Sequence, residues 1–389
     1  MPAALRVADV IRSCWSSYDR TQALPPHVVK TVRHILACRT ARLGGHLHEC
    51  DHCARQVPMY NSCQDRHCPT CQTSAKEKWL AKRRTELLPV QYFHTVFTVP
   101  HDLNALINAN RTLLLGELFS AVNWVLQRFA HDPRWRLQGE LGFIAVLHTW
   151  TQKLQLHFHL HCIVPGGVWR QDAGQWVHGR TRWLFRKESL ALAFRNRYIK
   201  RLKALRRRGK LCFCGPAMAL ADPSQWDALI AKLHNQTWVV YPKAAPAGPE
   251  KALDYLARYT HKVAISDYRI LSLQNGVVTY SWRDRDDHNK IKTDQLPAHE
   301  FTHRFCAHIL PKGFVKIRYF GWLSAPKRKT TLPAIRAALN APPPDPEPDL
   351  PLPERILQRT GIDIRRCPHC GKGRLHNTGI LIPPNRGPP

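Results

Sequence analysis

Cys50-Asp51-His52-Cys53 and Cys68-Pro69-Thr70-Cys71, two Cys-x-x-Cys turns separated by fourteen residues, constrain the fold of this chain more than any other feature. Each turn offers two thiolates on one side, and two such turns together satisfy a tetrahedral Zn²⁺. An ion held in this way replaces the hydrophobic core of a small module, so its work is structural and not catalytic. Cys38, Cys63 and His67, together with His46, lie near enough in sequence to supply a second metal or to exchange for one of the four ligands. A further pair, Cys367 and Cys370 in Cys367-Pro368-His369-Cys370-Gly371, provides only two ligands. Three readings of it stay open: it borrows His369 or His376, it pairs with a second chain, or it is a degenerate site. The chain has thirteen cysteines, and residues 1–20 show no charged leader followed by an apolar run. That combination implies reduced thiols and metal sites in the cytoplasm rather than a secreted disulfide framework.

The same module is strongly basic. Arg39, Arg42, Arg55, Arg66, Lys76 and Lys78 surround it, which fits either a DNA-contacting face or a solvated one. Over the whole chain 58 Lys and Arg face 28 Asp and Glu, a formal net charge of +30 that favours a polyanionic partner. The cations are spread along the sequence and no stretch approaches the length of an apolar span, so nucleic acid fits better than a membrane. With 389 residues, 44% of them hydrophobic, the chain is long enough for two or three domains.

Periodicity predicts helices over residues 5–18, 27–37, 75–88, 103–129 and 190–208. Strands are expected over 92–99, 143–150, 155–164, 238–241, 263–266, 277–282 and 314–320. A proline-rich, mildly acidic linker follows at 341–354. The expected class is α+β: a helical and zinc-binding N-terminal domain over 1–88, a catalytic domain over 89–335 with a central antiparallel sheet flanked by helices, the linker, and a tail over 355–389.

The two strands over 143–150 and 155–164 carry three histidines of interest. Successive side chains on a strand alternate faces, so His159 and His161 point the same way, as does His157. A turn centred between Lys153 and Leu154 places His148 opposite His159, with Cβ atoms on the order of 5 Å apart. A slip of one residue would undo this. Three imidazoles leave coordination positions open for a phosphate oxygen, as a Lewis-acid site requires. The alternative is a row of hydrogen-bonded histidines on a sheet surface. The run 157–163 also resembles the signature of histidine-triad nucleotide hydrolases, but that reading leaves the charge, the cysteines and the tyrosines unused.

Tyr255 and Tyr259 are four residues apart and so share one face of a helix. Alone, with Leu253 and Leu256, they read as a packing stripe. Arg258, His261 and Lys262 crowd the same segment and make it hospitable to phosphate. A phenol with an ordinary pKa near 10 is a weak nucleophile at neutral pH unless cations and a polarised phosphate assist it.

Read together, the segments CRTARLGGH, SCQDRHCPTCQ, LLPVQYFHTVFTVP, LHTWTQ, HFHLHCIVPGG, ALDYLARYTHKVAIS and HILPKGFVKIRYFG resemble the two-tyrosine rolling-circle transposases of insertion sequence ninety-one, within the HUH endonuclease superfamily. They run in that family's order over most of residues 30–330. The resemblance implies a five-stranded HUH core, with His159 and His161 as ligands of a catalytic ion, expected to be Mg²⁺ or Mn²⁺. Analogy with relaxases, whose extra histidine has the same eleven-residue offset, makes His148 the third. The resemblance also implies Tyr255 and Tyr259 as nucleophiles and a structural Zn²⁺ in the N-terminal domain, and the cations Arg258, Lys262 and Arg66 are expected to contact DNA. The expected activity is nicking and transfer of single-stranded DNA at transposon ends and target through a 5′-phosphotyrosine, with the host replication machinery supplying synthesis. Rival readings are a replication initiator or relaxase-type nickase and a DNA-binding regulator without catalysis.

Overall fold

The computed structural model describes residues 5–180, 184–245, 251, 260, 263–284, 286–343 and 350–384. The chain opens with α1 (Val7–Thr21) and α2 (Pro26–Ala37), both amphipathic. Asp267 ties down the start of α1, accepting from the Val7 N–H at 2.9 Å, and also accepts from the Thr70 hydroxyl at 2.7 Å. A hairpin of β1 (Gly45–Cys50) and β2 (Gln56–Tyr60) follows, then the basic helix α3 (Gln72–Arg84).

The central sheet begins with β3 (Tyr92–Thr98). After it come α4 (Asn104–Ala109) and α5 (Arg111–His131). The single helix expected over 103–129 is thus broken at Asn110. Its amide Nδ2 donates to the Leu106 and Cys212 carbonyls, and its Oδ1 accepts from the Cys212 N–H at 2.7 Å. A short polar side chain here competes with the helical ladder for backbone partners. β4 (Phe143–Trp150) and β5 (Leu156–Pro165) form the expected hairpin. A ribbon of β6 (Gly167–Arg170) and β7 (Gln175–His178) leads to α6 (Lys187–Arg207), α7 (Pro223–Asn235) and the edge strand β8 (Val240–Ala244).

The next described elements are β9 (Ile270–Gln274), β10 (Val277–Asp284) and β11 (Lys290–Pro297), an antiparallel sheet, followed by α8 (Ala298–Cys306). Residues 263–266, expected as a strand, form no strand among the described residues. Val263, Ala264 and Ile265 are buried with no ladder partner among the described residues, and a short apolar run reads the same in either case. β12 (Ile317–Phe320), α9 (Ala325–Ala338), α10 (Leu352–Thr360) and β13 (Leu375–Leu381) complete the chain.

The central sheet has five strands in the order β12-β4-β5-β3-β8, every neighbouring pair antiparallel. The protein is therefore α+β with a central antiparallel sheet and a cysteine-rich N-terminal unit. One sheet face, with Phe93, Phe97, Phe143, Leu147, Phe158 and Leu160, packs on α5 and α6 in the largest core. The other face is apolar at one end, where Ile144, Val146 and Ile163 meet Trp322 and Ile335 of the α9 region. At its other end that face carries the histidines. A separate core joins α1 and α2 to α8 and β10 through Val7, Val10, Ile11, Val32, Phe301, Phe305 and Tyr280. No helix among the described residues is long and apolar enough to cross a membrane.

Candidate active site and metal centres

His148 on β4 stands directly opposite His159 on β5, and Val146 opposite His161. The ladder slips between His148 and Trp150, beyond the histidines, so the register at the site is undisturbed. One ring nitrogen from each of His148, His159 and His161 lies within 4.8 Å of the other two. All three side chains are buried. Their orientation is fixed by neighbours. The Nδ1 of His159 lies 2.9 Å from the His157 carbonyl, and since a carbonyl only accepts, the proton sits on Nδ1 and Nε2 keeps its lone pair. His148 is stacked on Trp150, with ring centroids 4.6 Å apart. His157, of the same parity, turns instead to His101, 2.8 Å away at the surface.

A fourth buried histidine, His94 on β3, places Nε2 2.8 Å from Nδ1 of His161 with the rings stacked. Burial, reinforced by Lys243 across the ladder, holds the His94 imidazole down at about 4. It is therefore neutral at physiological pH and can accept the Nδ1 proton of His161. Metal-binding histidines usually donate their second N–H in this way. Nothing in the local sequence around His94 marked it, because its partner is brought by non-local β3–β5 pairing. The donor set fits a divalent ion: three buried imidazoles with ring nitrogens within 4.8 Å of one another, and an outer acceptor for one of them.

The cysteines group differently from expectation. Cys38, Cys63, Cys68 and Cys71 form one cluster, and Cys50, Cys53, Cys367 and Cys370 another. The expected set of Cys50, Cys53, Cys68 and Cys71 is thereby corrected. Hairpin geometry explains it: β1 carries Cys50 to the tip, six residues and roughly 20 Å from the base at strand rise. At the base the chain returns beside the end of α2, where the Cys63 N–H donates to the Cys38 sulfur at 3.5 Å. Cys38 and Cys63, expected as possible additional ligands, are thus full members of the first cluster. Cys63 and Cys71 sulfurs are 3.7 Å apart, against about 3.8 Å for the edge of a tetrahedron with Zn–S bonds of about 2.3 Å.

His67 belongs to neither cluster. Its Nε2 accepts the Leu310 N–H at 3.1 Å, so Nδ1 carries the proton and donates to Asp65 at 3.2 Å. Both nitrogens are committed, which corrects its reading as a zinc ligand. Arg66 also turns inward: its guanidinium donates to the carbonyls of Leu310, Pro311 and Phe314 and fastens that loop to the cysteine module. His376 reaches Asp51 rather than a metal cluster. Tyr255, Tyr259, Arg258 and Lys262 lie outside the described residues.

Residues 142–330 match a family model described as "Putative transposase", and residues 10–99 match one described as "Transposase zinc-binding domain". The chain is 40% identical over 373 residues to "Putative transposase y4qJ" of Sinorhizobium fredii, spanning 95% of this chain and 94% of that protein. It is 26% identical over 390 residues to the "Transposase for insertion sequence element IS801" of Pseudomonas savastanoi pv. phaseolicola, spanning 97% and 90%. No solved structure matches the chain significantly. The zinc-binding match contains the whole Cys38, Cys63, Cys68 and Cys71 cluster, which makes the N-terminal unit a structural zinc module.

Proposed function

The chain belongs to the transposases of the insertion sequence ninety-one type, and on that premise we propose that it nicks and rejoins single-stranded DNA by a rolling-circle route through a 5′-phosphotyrosine. The observation that carries this reading is the buried imidazole cluster on the two central strands, its ring nitrogens within 4.8 Å of one another and aligned by His94, Trp150 and the His157 carbonyl. His148, His159 and His161 would hold a divalent ion, Mg²⁺ or Mn²⁺, which would polarise the scissile phosphate and offset its developing charge. Structural Zn²⁺ is assigned to Cys38, Cys63, Cys68 and Cys71.

The phenol oxygen of Tyr255 or Tyr259 attacks phosphorus. The bond to the 3′ oxygen breaks, that oxygen takes a proton and leaves as a 3′ hydroxyl, and the 5′ phosphate stays on tyrosine. The phosphotyrosine ester is close in energy to the bond it replaces, so the reverse attack reseals DNA without a nucleotide cofactor. Two tyrosines allow one strand end to be held while another is cut. Arg258 and Lys262 are assigned to the phosphates beside them. On the edge strand β8, Tyr241 and Lys243 are exposed, and pair with Val96 and His94 on the histidine face of the sheet. An aromatic ring and a cation in that position suit a base and a phosphate of one strand. The site is cytoplasmic in this reading, and the host's replication machinery supplies synthesis.

The test is covalent capture. Full-length protein incubated with labelled single-stranded oligonucleotides from the flanks of its own gene, with Mg²⁺ or Mn²⁺, is expected to form a denaturant-resistant adduct. The Tyr255→Phe, Tyr259→Phe double variant is expected to form none. An adduct in that variant removes the nucleophile assignment, and no wild-type adduct across the panel removes the chemistry.

His94 gives a second expected result. His94→Ala should raise the Mn²⁺ concentration needed for half-maximal cleavage by about 10- to 100-fold, the usual cost of losing an outer partner of a metal-binding histidine. His94→Gln, whose amide oxygen can accept the same proton, should recover much of that. Equal metal dependence in wild type and both variants would refute the positioning role.

A further inference from the structure

Cys50 and Cys367 are buried, yet among the described residues the hydrophobic cluster around them has only those two and Leu375 as buried members. So small a core does not hold a chain segment in place by apolar burial alone. What meets there are two matching turns from opposite ends of the sequence. In each, the residue after the second cysteine donates its N–H to the carbonyl of the first: Ala54 to Cys50 at 2.9 Å, Gly371 to Cys367 at 3.0 Å. In each, that residue has positive φ, 52° at Ala54 and 64° at Gly371. The Cys68–Cys71 turn lacks this finish, because Cys71 runs directly into α3. The paired turns bring sulfurs together at 3.7 Å (Cys50 and Cys370) and 3.9 Å (Cys53 and Cys367). These are the edges of a tetrathiolate zinc tetrahedron, about 3.8 Å, and far from the 2.05 Å or so of a disulfide.

The surroundings are built to the same end. The Gly373 N–H donates to the Cys370 sulfur at 3.4 Å. A Cβ on Gly373 would stand 2.6 Å from the Cys50 sulfur and 2.5 Å from Asp51 Oδ1, so only glycine lets the backbone come this close. Asp51, within the first turn, accepts from the Arg374 N–H at 2.8 Å and faces His376 Nε2 at 3.2 Å. From there β13 runs antiparallel to β1, from Cys50 opposite Leu375 to Gly45 opposite Leu381, and makes a three-stranded sheet of the hairpin.

We propose that Cys50, Cys53, Cys367 and Cys370 hold a second structural zinc ion, which clasps the C-terminal segment onto the N-terminal hairpin. Cys367 and Cys370 lie outside the stretch matched by the zinc-binding family model. The clasp closes a loop containing every candidate catalytic residue, and it can form only after Cys370 has been made. It is independent of the strand chemistry.

Zinc counting tests it. Full-length protein purified under reducing conditions should release two zinc ions per chain on denaturation. The Cys367→Ser, Cys370→Ser variant should release one, as should the Cys50→Ser, Cys53→Ser variant. A variant with all four substitutions should still release one, because both pairs serve the same ion. Reconstitution with Co²⁺ should give tetrathiolate ligand-field absorption saturating at two equivalents in the wild type and one in each variant. The C-terminal variant carries the test alone if the hairpin variant does not fold. Undiminished zinc in Cys367→Ser, Cys370→Ser, or one zinc per wild-type chain, overturns the proposal.

Discussion

Replacing His159 and His161 together by alanine is expected to slow metal-dependent cleavage of a single-stranded substrate by at least about a thousandfold. Lewis-acid assistance to phosphoryl transfer is worth several kcal/mol, and about 4 kcal/mol corresponds to about a thousandfold in rate. In the proposed site the two residues would supply two of the three ligands, so their joint loss would leave His148 unable to hold an ion by itself. Single-turnover cleavage across a Mn²⁺ titration is the measurement, since slow product release would hide part of the effect. The variant should remain folded. The substitutions leave the phenylalanine and leucine face of β5 intact, and the main penalty is the lost His94–His161 hydrogen bond, about 0.5–1.5 kcal/mol. A circular dichroism spectrum like that of the wild type, with cleavage lost, is the expected pair of results. Cleavage within tenfold of wild type in a folded variant would exclude the imidazole cluster as the metal site.

That site was legible in the sequence where its geometry is local. β4 and β5 are joined by a short turn, so midpoint counting and period-two parity place His148 opposite His159 without any knowledge of the rest of the sheet. His94 was not legible, because β3 reaches His161 only through strand pairing across more than fifty residues of chain. The cysteines show the opposite error. Nearness in sequence suggested that Cys50, Cys53, Cys68 and Cys71 share an ion, but a hairpin separates its tip from its base, and the tip meets the far end of the chain. The signal that could have sorted them was the residue after each second cysteine: Gly371, and Ala54 in the same role, finish a free turn, whereas Gln72 starts a helix. β13 was invisible for a related reason: it exists as a strand because β1 offers it an edge. The strand expected over 263–266 failed from the other direction, since burial in the core of α1, α2 and α8 selects apolar residues without requiring a ladder.

Removing zinc from the first cluster is expected to have the largest effect on stability. Cys38 is 1% exposed and Cys68 wholly buried, and both belong to the same core as Val7, Val10, Ile11, Val32, Phe301 and Phe305. Structural zinc contributes an apparent ~10–16 kcal/mol, while a whole domain is stable by only ~5–15 kcal/mol. A Cys38→Ser, Cys68→Ser variant leaves two thiolates and two buried hydroxyls, so α1 and α2 should lose their seat. The loss should spread to α8 and to β9–β11, which share that core, and stop short of the central sheet, whose main core with α5 and α6 contains no residue of α1 or α2. Amide hydrogen exchange resolves the two regions: protection in α1, α2 and α8 should collapse while β3, β4 and β5 retain theirs. The histidine cluster should then survive in a protein whose N-terminal unit has come apart. Undiminished protection of α1 and α2 in the variant would mean that apolar packing, and not zinc, holds the N-terminal unit.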